Sequence, residues 1–194
     1  MRQIYLASAS IRRLSLLQQI GISPVVLAST FAEPEVSQGD PRSIAMEYAL
    51  EKARGALPVP PGGIVIGADT IVHLDGELFG KPRDEKHAVE ILQRLSGRVH
   101  RVVTGLAIVQ NGGEYLVDSE ETEVKFRLLT EQEVCRYAAT GEPLDKAGAY
   151  GIQGRGIVLV EHIVGCYTNV VGLPLTKLHF LLGQWGLDLM ANWG

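Results

Sequence analysis

Residues 4–17 read IYLASASIRRLSLL, and the fold is legible from how this stretch changes character along its length. A short apolar strand, Ile4-Tyr5-Leu6, runs into the small residues Ala7-Ser8-Ala9-Ser10, and a helical pattern then opens on Arg12 and Arg13. Small side chains let a ligand approach the backbone, and the N–H groups of a helix's first turn point outward unpaired. Each arginine also offers a planar fork to phosphate oxygens. The same residues read equally as a plain strand-to-helix turn, with Ser10 as the cap and the arginines solvated.

Working outward, the helix places Ile11, Leu14, Leu17 and then Ile20 or Gln18 at helical spacing, a stripe expected to pack on a sheet, and Gly21 ends it. Val25-Val26-Leu27 is a second strand, followed by a loop over 29–39 that carries Glu33 and Glu35 among prolines and small residues. Asp40-Pro41 is a capping acid followed by proline at the first helical position. The helix it starts runs to about Arg54, with Ala45, Tyr48 or Ala49, and Lys52 along one inward face. A lysine there either snorkels to the surface or aims its ammonium into a cleft.

Ile64-Val65-Ile66 reads as a buried strand, and Gly67-Ala68-Asp69-Thr70 follows it. A carboxylate at a strand end beside two very small residues has room for a ligand or metal; an Asx turn or a capping acid is the plainer alternative. Residues 71–79 predict a hairpin about Asp75-Gly76, whose far arm delivers Lys81 between Gly80 and Pro82. Asp84 caps a helix with core face Ala88, Ile91, Leu92 and Leu95, and His87 on it is read as solvated. Two long strands, 98–110 and 114–128, then turn about Asn111-Gly112-Gly113. Thr130 and Glu133 form a capping box for a helix over 131–140. The glycine-rich stretch 142–156 is expected to be irregular and functional. A strand over 157–164 and a helix over 175–185 close the chain. This order predicts an α/β or α+β domain with a mixed sheet.

Composition narrows the chemistry. A chain of 194 residues, 46% apolar and 21% charged, suits a globular protein and one good core. A net charge of −4 argues against a nucleic-acid polymer as partner, but a few focused cations suffice for a small anion. Cys135 and Cys166 lack metal or disulfide-framework spacing, and no apolar run is long enough for a membrane helix, so a soluble, cytoplasmic protein is expected. The candidate cations are Arg12, Arg13, Lys52 and Lys81; the acids are Glu33, Asp69 and Asp145. Such a set, without a thiol or histidine cluster, suits a phosphorylated substrate and a hard divalent ion such as Mg²⁺ or Mn²⁺. The P-loop, nucleophile-elbow and kinase signatures are absent. The residues alone thus lead to a metal-assisted enzyme or binder of a nucleotide-like phosphate ester.

Taken in order, seven segments resemble the Maf family of nucleoside triphosphate pyrophosphatases. They are LASASIRRLSLL, ALEKA, IGADTIV, GKPRD, LSGRVHRVVTG, LDKAGAYGIQG and NVVGLPL, spread over essentially the whole chain. The resemblance implies a single domain of two lobes, an elongated mixed β-sheet with flanking helices bent around a central cleft, as in inosine triphosphatases. It also implies metal-dependent hydrolysis of a nucleoside triphosphate to the monophosphate and pyrophosphate. Asp69 matches the family's general base; Ser8, Arg12 and Arg13 match its triphosphate loop; Glu33, Lys52 and Lys81 match the remaining polar groups of the cleft. For such a reaction Glu33 and Asp69 are the candidate metal ligands. Arg12, Thr70 and Gln153 match the positions tied to specificity, and LDKAGAYGIQG resembles the branch acting on dTTP and UTP. The departure is at Ser8-Ala9-Ser10-Ile11, where many members carry glycine or proline; no polar group is lost. The alternatives are a nucleotide-sensing regulator of septum formation without turnover, and a pyrophosphatase for another nucleotide such as 7-methyl-GTP. A homodimer is compatible with the long strands and with Phe180 and Trp185 read as exposed on the last helix.

Overall fold

The structure is a computed structural model that describes residues 2–34 and 39–191; Glu35 lies outside them. Its centre is a seven-stranded mixed sheet built from β1 (Ile4–Ala7), β2 (Val25–Leu27), β3 (Ile64–Leu74), β4 (Glu77–Phe79), β5 (Val99–Gln110), β6 (Tyr115–Phe126) and β7 (Val160–Val164). The strand order is β2-β1-β3-β5-β6-β7, with β4 paired to β3. β1 runs parallel to β2 and β3, and every other pairing is antiparallel. Among the described residues six α-helices flank it: α1 (Ile11–Gln19), α2 (Pro41–Arg54), α3 (Glu85–Leu95), α4 (Glu131–Ala138), α5 (Tyr167–Val171) and α6 (Leu175–Gln184).

Both sheet faces are covered, so the central strands are apolar on both sides. On one face Ile4, Leu6, Ile64, Ile66, Leu106 and Ile108 pack with Leu16 and Leu17 of α1 and with Leu178, Leu181 and Leu182 of α6. On the other, Tyr5, Val65, Ala107 and Val109 meet Ala49 and Ala53 of α2. At the far end α3 and α4 close over Val72, Val102, Val124 and Phe126. The α1 stripe is rotated from the expected one: Ile11 is 81% exposed, and Leu16 is buried in its place. Position 11 is the first residue of α1, and Ile11 is not part of the core packed under that helix.

Asp69 is not at a strand end. β3 continues unbroken from Ile64 to Leu74, and Asp69 sits near its middle, paired in register with Gly105 of β5. Nor does Gly67 make room for a ligand. A Cβ there would stand 2.1 Å from the Ala49 carbonyl oxygen, and one at Gly105 would stand 2.0 Å from that of Ala45. These two glycines let α2 lie directly on β3 and β5, its small face of Ala45, Ala49 and Ala53 turned to the sheet.

The register also opens the cleft. β5 covers one edge of β3 from Ile64 to His73, so β1 and β4 must share the other edge. β1 pairs there with 64–66 and β4 with 72–74, leaving Gly67–Ile71 without a strand partner on that side. The GADTI segment thus has one backbone edge free of strand pairing while remaining central to the sheet.

Three further expectations need correction. Residues 142–156 are ordered in short 3-10 turns, Glu142–Asp145, Ala147–Ala149 and the start of Gly154–Leu159, which tolerate the glycines because each is only a turn or two long. The last strand begins at Val160, because 157–159 complete the third of these turns. Trp185 packs partly against the core while Phe180 is 64% exposed. The hairpin at Asp75-Gly76, both with positive φ, and the Thr130/Glu133 capping box form as read.

Candidate active site

A cavity of about 980 Å³ lies over the open edge of β3 and is bordered by α1, α2, the loop after β2, the segment after β4 and the turns of 142–156. Ser8, Arg12, Arg13, Glu33, Lys52, Asp69, Thr70, Lys81 and Gln153 all line it. The size falls within the ~300 to 1,000 Å³ typical of small-molecule sites.

Because side chains alternate along a strand, Asp69 and Thr70 turn to opposite faces and organise two polar clusters. Asp69, 7% exposed, turns to the α2 side. There the Lys52 ammonium, on the inward face of α2, is bonded to the carboxylates of both Asp69 and Glu33. Burial pushes the Glu33 carboxyl up, but the Lys52 ammonium, with Lys81 and Arg13 beyond it, holds it below its ordinary value overall. Lys81 stands exposed at the rim.

Thr70 turns to the α1 side and meets Arg13. The Arg13 guanidinium donates from Nε to the Gly172 carbonyl (2.8 Å), from Nη1 to Ser8 Oγ (3.2 Å) and from Nη2 to Thr70 Oγ1 (3.1 Å). Burial pulls its pKa down, opposed by the charge of Asp69. Arg13 is therefore clamped into the wall and retains two N–H groups beyond these three bonds. Ser10 caps α1 as expected, accepting from the Arg13 backbone N–H at 3.5 Å.

Arg12 reaches across the cleft to Asp145 (2.7 Å), whose other oxygen accepts from Lys146 Nζ at 2.5 Å. Lys146, its side chain 12% exposed, also donates to the Glu142 carbonyl. Sequence reasoning did not single out Lys146; its place beside Asp145 in a glycine-rich segment was the available signal. Tyr48, Arg83, His87 and Tyr150 were missed as well and line the cavity. His87 is partly buried rather than solvated, its Nδ1 accepting from the Arg83 N–H.

Among the described residues no group of three His, Cys, Asp or Glu side chains could hold a metal on its own. Glu33 and Asp69 nonetheless converge on one cation, the Lys52 ammonium. Mg²⁺ is commonly held by one or two carboxylates with substrate phosphates and water completing its shell. The donor set fits such an ion brought with a phosphorylated ligand.

The chain is similar to known proteins over nearly its whole length. The chain is 50% identical over 192 residues to a dTTP/UTP pyrophosphatase of Symbiobacterium thermophilum, covering 99% of this chain and 98% of that protein. It is 46% identical over 191 residues to a dTTP/UTP pyrophosphatase of Dictyoglomus turgidum, covering 97% and 99%. A crystal structure of a nucleoside-triphosphatase / dITP/XTP pyrophosphatase from Mycobacterium abscessus superposes with a TM-score of 0.46 at 16% identity, over 95% of this chain and 97% of that one. The family described as Maf-like protein matches residues 3–185. With that match over most of its length, the chain belongs to the Maf-like protein family.

Proposed function

We propose that this protein is a nucleoside triphosphate pyrophosphatase that hydrolyses dTTP and UTP to the monophosphate and pyrophosphate. The observation that supports it best is the Glu33–Lys52–Asp69 cluster, a carboxylate pair and a cation fixed in a cavity that Arg12, Arg13 and Lys81 also line.

In this reading Arg12, Arg13, Lys52 and Lys81 hold the triphosphate. Water adds to the α-phosphorus, the bond from that phosphorus to the bridging oxygen breaks, and pyrophosphate leaves with the electron pair. Asp69 orients the water and takes its proton. Its position is set from two sides, by the β3 backbone and by the bonded Lys52. Ser8 holds Arg13 in place. A divalent cation such as Mg²⁺ or Mn²⁺, held by Glu33 and Asp69, would neutralise phosphate charge as a Lewis acid. Thr70, Gln153 and Arg12 read the base. The rest is alignment and charge neutralisation, which suffices for this class of reaction.

The test is to incubate the protein and Mg²⁺ or Mn²⁺ with a panel of standard and modified nucleoside triphosphates, then assay pyrophosphate and monophosphate. Turnover led by dTTP and UTP is expected. Asp69→Asn should lose ~10² to 10⁴-fold in turnover, the usual contribution of a general base. A folded Asn variant running at the parent rate excludes that role for Asp69.

A further inference from the structure

The hydroxyl of Thr70 does not choose freely between donating and accepting. Thr104 on β5, fully buried, lies opposite it in register. Thr104 Oγ1 is 3.1 Å from the Asn169 backbone carbonyl, which can only accept, so the single Thr104 proton is committed there. Thr70 Oγ1 is 3.0 Å from Thr104 Oγ1, so the proton of that bond must come from Thr70. On its other side Thr70 Oγ1 accepts from Arg13 Nη2. Asn169 is itself held, its Nδ2 donating to the Val102 carbonyl (3.0 Å) and to Thr122 Oγ1 (2.9 Å). The direction of the whole chain, Thr70 to Thr104 to Asn169, follows from a backbone carbonyl at its end.

Thr70 lines the cavity with one lone pair left and no proton to give. We propose that Thr104 is a positioning residue for specificity: by fixing the Thr70 proton inward, it makes Thr70 an acceptor that reads the ring N3–H of uracil or thymine and rejects cytosine. This rests on the functional reading above. Uracil and thymine carry a proton at N3, whereas cytosine carries a lone pair, which would face the Thr70 lone pair. Cytosine could offer Thr70 only its exocyclic amine, one position along the ring, and that shift would move the sugar and the α-phosphorus away from Asp69. A site polar group left unpaired by the wrong substrate is a strong basis for discrimination.

The test is the ratio of kcat/KM for UTP to that for CTP in the parent, Thr104→Val and Thr104→Ser. Both substrates are assayed on one preparation, so any loss of folded enzyme cancels from the ratio. The parent should favour UTP. Thr104→Val frees the Thr70 proton to turn toward cytosine N3 and should lower the ratio by about tenfold, the size of one uncharged hydrogen bond. Thr104→Ser keeps the proton chain and should keep the parent ratio. A parent that hydrolyses neither nucleotide overturns the functional reading and this inference with it. A parent that favours UTP, with a Thr104→Val variant of unchanged ratio, overturns the inference alone.

Discussion

Replacing Gly67 by alanine tests how the cleft is assembled, because the residue does not line the cavity. The added Cβ would meet the Ala49 carbonyl oxygen at 2.1 Å and the Ala53 backbone nitrogen and Cβ at 2.9 Å each. All three belong to α2, whose backbone has no flexible end to yield, so the helix must move away from β3 by a little over 1 Å to restore ordinary contact. Overpacking of this kind costs about 1 to 3 kcal/mol, which for a chain of this length is a fall of several degrees in Tm. The functional effect should exceed the stability effect. Lys52 rides on the same helix one residue before Ala53, and its ammonium joins Glu33 and Asp69. A displacement near 1 Å at a reacting centre costs on the order of 10²-fold in rate. The assay is steady-state dTTP hydrolysis well below the melting transition, beside a thermal melt of the same sample. A Gly67→Ala enzyme with parent turnover would refute the argument that the glycine seats α2, and with it Lys52, on the sheet.

Two other outcomes concern residues that do not themselves line the cavity. His100 is buried against Phe126 and Tyr150, with Nε2 2.8 Å from the Tyr150 hydroxyl; burial, aided by the charge of His73, lowers its pKa to about 3. The unfolded chain takes up a proton near the ordinary value of 6.5 and the folded chain does not, so stability falls as pH drops below that value. Urea melts at pH 7 and pH 5, a window above most carboxylate titration, should show a loss of about 2 kcal/mol that His100→Gln lacks; equal pH slopes in the two proteins would contradict it. Gly183, inside α6 and with open space where its Cβ would go, should accept alanine with a gain of up to about 1 kcal/mol, and a melt showing destabilisation would overturn that.

Local chemistry in the sequence determined much of this protein. Capping residues, turn residues and apolar periodicity were sufficient for α2 from Pro41 to Arg54, the core face of α3, the Asp75-Gly76 hairpin and the Thr130/Glu133 box, because each depends on neighbours within a few positions. The candidate residues that line the cavity are also legible in the sequence, through residue type and through resemblance. What the sequence could not convey was anything set by a partner distant along the chain. Gly67 and Ala68 looked like space for a ligand, and only the crossing of α2 shows that Gly67 is space for a helix. Asp69 looked like a strand end, because the edge it exposes is created by where β1 stops and β4 begins. Ile11 satisfied the helical stripe yet stands exposed at the start of α1. Arg12 and Arg13, adjacent and alike in sequence, part in the structure: one is clamped by Ser8, Thr70 and Gly172, and the other bridges the cleft to Asp145. The opening stretch suggested a cleft wall rich in cations; the register of β3 against three other strands decided the shape of that cleft.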